Sequence, residues 1–214
     1  MAESAPIADG GPRQLCTWDE AEAAARLHDH PANHGEFDGG LSVWFVPAKE
    51  QRDALNRAIV ELREAHGGAA FWPAHCTAFS PARVPAAEAA ALASHLAATL
   101  PAFDVTVERV EAGSMFHQDV YVLLRRTDAL MAARAAAREA FAPEAGPSED
   151  EAFKPHISIV YGGHTDEQRG AIVDDARTRG VAASGQVLRI AAIEVWRCHG
   201  PTADWERVAS ADLA

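Results

Sequence analysis

Residues 154–162 read KPHISIVYG, and an earlier stretch reads AHCTAF. Each stretch holds a histidine and, two positions on, a hydroxyl residue: His75 with Thr77, and His156 with Ser158. Side chains two apart in a β-strand point to the same side of the sheet, so each imidazole should share a face with a hydroxyl. Two such strands side by side would line one pocket with two proton-transfer groups and two hydrogen-bond donors. That set suits an in-line attack on a phosphate diester.

The elements predicted around the two motifs occur twice in one order: strand, helix, motif strand, helix, strand. We call each occurrence of this order a pass. In the first pass, the elements other than the motif strand are expected at about 41–46, 49–65, 86–100 and 103–110. In the second they are expected at about 120–124, 128–141, 166–179 and 187–196, with a last strand at 205–209. The motif histidines occupy equivalent positions, which predicts a pseudo-twofold axis. We expect an α+β fold with two pseudo-symmetric lobes, whose antiparallel sheets line a central cleft and whose helices lie outside.

The first forty residues differ in composition from the rest of the chain. Residues 1–40 are rich in Gly, Pro, Ala and Asp and predict an N-terminal arm, partly helical or flexible. Three histidines, His28, His30 and His34, lie close together in this arm, but no cysteine beside them and no convincing helical pair at i, i+4 with an adjacent acid completes a metal site, so we interpret them as loop residues. The bilobal domain is expected over 41–214, with approximate halves 41–112 and 113–214.

The composition is that of a globular chain with a strong acidic excess: 19 basic and 31 acidic residues give a formal net charge of −12. This charge argues against a protein that binds long nucleic acid and favours a small nucleotide as the partner. No apolar run approaches the ~20 residues that cross a membrane, and the N-terminus has no signal core. The three cysteines form no CxxC pair or disulfide framework. We expect a reduced, cytoplasmic monomer with no membrane partner.

Histidine is suited to proton transfer near neutral pH because its ordinary pKa is ~6.5. His75 and His156 could flank a cyclic phosphate, one removing a proton from attacking water and the other protonating the departing sugar oxygen. Thr77 and Ser158 would donate hydrogen bonds to the non-bridging oxygens as charge develops. Lys154 could attract phosphate, although a solvated loop lysine explains it as well. This chemistry needs no metal and no cofactor, and the sequence offers a metal no convincing site.

Further segments accompany the motifs: SVW at 42–44, GG at 67–68, GSMFHQ at 113–118 and PHISIVYG at 155–162. With them, the sequence resembles the two-histidine (2H) phosphoesterase superfamily, and within it the cyclic phosphodiesterase branch known from plants and fungi. The resemblance covers about residues 41–212. It implies the bilobal fold, an acid/base role for the motif histidines, phosphate binding by the Thr and Ser, and a site-lining role for Tyr161.

The positions of the aromatic residues are harder to predict. Strict alternation would turn Tyr161 to the face opposite His156, so it reaches the site only if the strand twists or ends before the following glycines. Trp72, Phe116 and Trp44 are candidates for stacking on a nucleobase. Core packing explains Trp44 at least as well.

The leading hypothesis is metal-independent hydrolysis of cyclic phosphates on small nucleotides. The resemblance implies two substrates: ADP-ribose 1″,2″-cyclic phosphate, a by-product of tRNA splicing, opened to ADP-ribose 1″-phosphate, and nucleoside 2′,3′-cyclic phosphates, opened to 2′-phosphates. One alternative is an RNA 2′,3′-cyclic phosphodiesterase that acts on RNA ends, and the acidic charge argues against it. The other is a non-catalytic nucleotide-binding module, and the two intact motifs argue against it.

Overall fold

A computed structural model describes residues 41–70, 72–82, 84–142 and 153–214. The predicted N-terminal arm therefore lies outside the described residues. Within them, the helices are α1 (Lys49–His66), α2 (Ala86–Thr99), α3 (Asp128–Phe141) and α4 (Asp166–Thr178). The strands are β1 (Leu41–Pro47), β2 (Cys76–Ala82), β3 (Phe103–Met115), β4 (Gln118–Leu124), β5 (His156–Val160), β6 (Val187–Arg197) and β7 (Glu206–Asp212).

The elements follow the predicted order, and the largest difference is the length of β3. The sequence predicts its end near residue 110, whereas the strand continues to Met115. Its last residues show no apolar alternation because most of them are partly or fully exposed. Pairing with β4, as far as Met115 opposite Gln118, holds this exposed end in a hairpin. Backbone pairing with β4 thus makes β3 longer than its alternation of apolar residues indicates.

The strands form one antiparallel sheet in the order β1-β2-β5-β4-β3-β6-β7. Because β6 also pairs with β1, the first six strands make a closed circuit of pairings. Strand β6 pairs with β1 along one edge. Along its other edge, its first residues pair with β3 and its later residues pair with β7. Each pass therefore places its third strand beside the first strand of the other pass, with β6 beside β1 and β3 beside β4.

The helices repeat the same symmetry. Helix α1 packs against β5 and α4, and α3 packs against β2 and α2, which are the same contacts with the two passes exchanged. Each helix buries an apolar stripe, such as Leu55, Ile59 and Leu62 on α1. Burying a side chain of this size stabilises the fold by about 1.5–3 kcal/mol. The expected α+β fold with antiparallel strands and two pseudo-symmetric lobes is confirmed.

Candidate active site

The two motif strands meet at the pseudo-twofold axis. In the β2–β5 ladder, Cys76 is paired with Ile157, and both side chains are buried on the side that the helices cover. Extending this antiparallel register by one residue in each direction sets His75 opposite Ser158, and Thr77 opposite His156. All four motif side chains therefore lie on the other face of the sheet. The two histidines are diagonal neighbours, with Cα atoms about 7–8 Å apart.

Both histidines are held by the same local hydrogen bond. Nδ1 of His75 lies 2.7 Å from the carbonyl oxygen of Pro73, and Nδ1 of His156 lies 2.7 Å from that of Lys154. A carbonyl can only accept, so Nδ1 carries the proton in each ring. The neutral imidazoles therefore have an unprotonated Nε2, and this is the atom that can exchange a proton with a substrate.

The surroundings of the two histidines differ. His75 is 5% exposed, and its ring stacks on Trp44 with centroids 3.4 Å apart. Burial lowers the pKa of His75 to about 3. His156 is only partly buried, with the edge of the Tyr121 ring against it. Burial also lowers the pKa of His156 below its ordinary value. Both rings are therefore neutral at pH 7 in the free protein.

Two equivalent rows of side chains cross the sheet to the motif hydroxyls. Each row runs through a glutamate, an aromatic residue and a hydroxyl residue on neighbouring strands: Glu194–Trp44–Thr77 and Glu111–Tyr121–Ser158. The two aromatic rings are those that contact the motif histidines. The pseudo-symmetry thus extends from the backbone to the groups that position the imidazoles. Tyr121 was not predicted as a site residue, although its place in the second pass matches that of Trp44 in the first.

Glu194 is a buried charge behind the Trp44–His75 stack. Arg52 binds its two carboxylate oxygens at 3.0 and 2.8 Å, and Trp196 Nε1 donates to it at 2.8 Å. Burial alone would raise the pKa of Glu194, but these donors hold it below its ordinary value. Trp196 in turn stacks on Trp44, with centroids 4.8 Å apart. The ionised Glu194 carboxylate therefore holds Trp196, which stacks on Trp44, and Trp44 in turn stacks on His75.

The two motif hydroxyls are engaged differently. Thr77 lines a cavity of about 340 Å³ beside His156. Ser158 is buried, and its Oγ donates to the carbonyl oxygen of His117 at 2.8 Å. A phosphate would therefore compete with that carbonyl for the Ser158 proton. The predicted phosphate contact is more direct for Thr77 than for Ser158.

The comparisons with known proteins give the family of this chain. A family model described as the 2'-5' RNA ligase superfamily matches residues 49–200. The chain belongs to this superfamily. The resemblance to the two-histidine phosphoesterases is thereby confirmed, and the protein is an enzyme of the phosphoester hydrolase class.

One relative matches this chain in sequence, and two solved structures match it in fold. A cyclic phosphodiesterase of Arabidopsis thaliana is 29% identical over 177 residues, which are 80% of this chain and 94% of the relative. The crystal structure of TT0787 of Thermus thermophilus matches with a TM-score of 0.52 at 16% identity, over 81% of this chain and 97% of that one. E. coli LigT in its apo form matches with a TM-score of 0.51 at 14% identity, over 82% and 97%. At these identities, the structures establish the fold alone.

Tyr161 lies beside the motif residues of this two-histidine phosphoesterase. Strand β5 ends at Val160, so strict alternation no longer applies to the next residue. The Tyr161 hydroxyl interacts with Ser158, and its ring stacks on Trp72 with centroids 3.7 Å apart. Burial raises the pKa of Tyr161, so the phenol stays protonated. The end of the strand is what lets it reach the site face.

The structure changes the interpretation of two of the three predicted nucleobase contacts. Trp44 and Trp72 are 1% and 2% exposed, and they stack on His75 and Tyr161 respectively. They are packing residues here and do not offer a nucleobase an open ring face. Phe116, in the turn between β3 and β4, is partly buried 6.2 Å from the Tyr161 ring and stays a candidate.

A buried charged cluster supports the segment after β5. Asp119 is fully buried and binds His164 Nδ1 and Arg169 Nε, each at 2.5 Å. His164 Nε2 lies 3.2 Å from the carbonyl oxygen of His66, so both ring nitrogens face acceptors. The hydrogen bond to Asp119 raises the pKa of His164. A Cβ on Gly162 would clash with the His164 ring, so the close approach of this segment requires glycine.

Two further features are absent from the part of the chain that the structure describes: a metal-binding cluster and a membrane-spanning helix. No group of three His, Cys, Asp or Glu side chains in that part of the chain is arranged to hold a metal ion. Among the described helices, none combines the length and apolar character needed to span a bilayer. Independence from metal stays a prediction for a chelator experiment.

Proposed function

We propose that the protein hydrolyses cyclic phosphates on small nucleotides and leaves a monophosphate on the sugar. The observation that carries this proposal is the pair of histidines on one sheet face, each with Nδ1 bonded to a carbonyl and Nε2 left for the substrate. The similarity to a plant protein named cyclic phosphodiesterase supports the same reaction. Substrate binding alone would not require two proton-transfer groups, which argues against a non-catalytic module.

The different environments of the histidines favour an assignment of roles. His75, whose pKa burial lowers to about 3, is neutral at any working pH and serves as the base that accepts a proton from the attacking water. His156 is more exposed and exchanges protons with solvent, so it serves as the acid. The water oxygen forms the new bond to phosphorus, the bond from phosphorus to the sugar oxygen breaks, and His156 protonates that oxygen. The bound phosphate anion favours the charged form of both rings.

The proposed substrates are ADP-ribose 1″,2″-cyclic phosphate and nucleoside 2′,3′-cyclic phosphates. Their expected products are the 1″-phosphate and the 2′-phosphate. A formal net charge of −12 disfavours long RNA, whose binding depends on many phosphate contacts. Small cyclic nucleotides therefore fit the chain better than RNA ends.

Phosphorus NMR of the products tests this proposal. We expect a single 2′-phosphate from a nucleoside 2′,3′-cyclic phosphate, with undiminished turnover in the presence of a chelator. One regioisomer is expected because attack and departure are in line between two fixed groups. A mixture of 2′- and 3′-phosphates would contradict the two-histidine geometry. Strong preference for an oligonucleotide that ends in a cyclic phosphate would favour RNA-end processing instead.

The dependence of kcat/KM on pH should be displaced to the acid side. Because kcat/KM reports the free enzyme, its alkaline limb should follow the loss of the proton from His156, below pH ~6.5. Its acid limb should follow protonation of His75, whose pKa is about 3. The measurement is kcat/KM from pH 3 to 9 in wild type and in His156→Ala, where the alkaline limb should disappear. A bell centred above pH 7 would show that these directions are wrong.

A further inference from the structure

Two glutamates lie at matching places in the sheet, each opposite an aromatic residue that contacts a motif histidine. Glu194 on β6 is paired with Trp44 on β1, and Glu111 on β3 is paired with Tyr121 on β4. Neither carboxylate has a part in the proton transfers proposed above. The pseudo-symmetry nevertheless places both of them behind the imidazoles, which indicates a role that the two glutamates share.

Glu111 is linked to His156 through a single ring. The Tyr121 hydroxyl donates to one Glu111 oxygen at 2.9 Å, and the other oxygen lies 2.5 Å from an Arg109 nitrogen. Burial and the Glu111 carboxylate raise the pKa of Tyr121 to about 12, so the phenol stays protonated and continues to donate. The Tyr121 ring meets the His156 ring at an angle of 64°, with centroids 5.2 Å apart. The glutamate therefore fixes the outer end of the ring against which His156 packs.

Glu194 is linked to His75 through two rings. Trp196 Nε1 donates to the buried Glu194 carboxylate at 2.8 Å. Trp44 stacks on both Trp196 and His75, with centroids 4.8 and 3.4 Å apart, and its own Nε1 donates to Ser42 at 2.7 Å. Both indole rings are thus held by a hydrogen bond at Nε1 as well as by stacking. A shift of the ring under His75 would have to disturb these bonds.

The orientation of each imidazole depends on such contacts because its hydrogen bond fixes only one ring atom. Nδ1 of each motif histidine is bonded to a carbonyl oxygen, and the neighbouring aromatic ring then limits the tilt of the imidazole plane. This tilt decides where Nε2 points. Proton transfer requires Nε2 to come within about 2.6–3.2 Å of its partner. A misplacement of about 1 Å can lower the rate by ~10²-fold.

We propose that Glu111 and Glu194 are positioning residues, each of which fixes the aromatic ring that orients one motif histidine, His156 and His75 respectively. This inference rests on the proposed acid/base roles of the histidines and adds two residues outside the motifs to the machinery of the same reaction. The glutamates act through the rings and not on the substrate. Their loss should therefore lower kcat and leave KM nearly unchanged.

The test removes the hydrogen bond to each glutamate and keeps an aromatic ring in place. Tyr121→Phe and Trp196→Phe should each lower kcat on a nucleoside 2′,3′-cyclic phosphate by about 10-fold, the effect of one hydrogen bond to a charged group. These variants are preferred to Glu194→Ala, which would leave the side chain of Arg52 without its buried partner and could unfold the protein. Urea unfolding confirms that each variant is folded.

The accessible glutamate allows a conservative rescue and a matched control. Glu111→Ala should lower kcat as Tyr121→Phe does, whereas Glu111→Gln should restore most of the loss, because its amide oxygen can accept the same hydrogen bond. Glu108→Ala is the control, since Glu108 binds the same Arg109 from the same strand but is not bonded to Tyr121. It should leave kcat unchanged.

Nitrogen-15 NMR of the histidine rings in the free protein separates failure of this inference from failure of the proposed function. A loosened ring opens its carbonyl hydrogen bond more often, so Tyr121→Phe should make the Nδ1 proton of His156 exchange with water about 10-fold faster and leave that of His75 unchanged. Trp196→Phe should do the reverse. If each variant affected both rings alike or neither, the positioning role would be overturned even if cyclic phosphates are hydrolysed. The selective pattern without any turnover would support the positioning role and reject the hydrolytic function.

Discussion

Replacing either His75 or His156 with alanine is expected to lower kcat by about 10²–10⁴-fold, the range for loss of a general acid or base. Each imidazole presents its Nε2 from a ring fixed by a carbonyl two residues earlier, so the substitution removes a positioned proton-transfer group. The measurement is kcat on a nucleoside 2′,3′-cyclic phosphate, with the folded state checked by circular dichroism. The double variant should lose little more than the worse single variant, because the two groups act in one step.

His95→Ala provides the matched control for these substitutions. This histidine is exposed on α2 and outside the motifs, so its loss should leave kcat unchanged. If His75→Ala retained more than a tenth of wild-type kcat with an intact fold, the two-histidine assignment would have to be abandoned. Equal loss in His95→Ala would show that the assay reports folding rather than chemistry.

Asp119→Ala should destabilise the protein by about 3–5 kcal/mol, the usual cost of removing one partner from a buried ion pair. The substitution would leave His164 and Arg169 without the carboxylate that binds both of them. Urea unfolding followed by circular dichroism measures the difference. Asp166→Ala is the control, because this fully exposed carboxylate binds the same arginine and should contribute little.

The contribution of this cluster should also depend on pH. The pKa of His164 is raised by Asp119, so it is higher in the folded than in the unfolded state. The stabilisation is therefore fully present below pH ~6.5 and is lost as pH rises through the raised pKa. The difference in unfolding free energy between wild type and Asp119→Ala should shrink at alkaline pH. A difference that grows with pH would show that His164 is not the titrating partner.

The fold could be predicted because its determinants are local. Periodicity located the helices and strands, and the repeated order of elements indicated the pseudo-twofold axis that the pairings of β1 and β4 now display. The motifs His75–Thr77 and His156–Ser158 could be placed on one face because strand alternation needs no knowledge of distant contacts. The family was equally accessible, since the same motifs carry it.

The remaining features depend on contacts between distant parts of the chain. Arg134 and Arg138 are ordinary residues of an Ala-rich helix until the packing of α3 against β2 brings them beside His156. Trp44 is a plausible nucleobase platform until its ring is seen stacked on His75. Glu194 could not be singled out from the sequence, because Arg52, which binds both of its carboxylate oxygens, is brought to it by tertiary folding.

Each pass places its third strand beside the first strand of the other pass, and this arrangement has a consequence for the stability of the molecule. A chain cut between 112 and 113 would separate β1 and β2 from β6, and β4 and β5 from most of β3. Each fragment would lose one of the two hydrogen-bonding partners of its own first strand, β6 for β1 and most of β3 for β4, so each would present an unpaired strand edge to water. The sequence repeat and the unit of folding are therefore different things in this protein. The two passes are copies in topology, yet they can melt only together, as one cooperative transition.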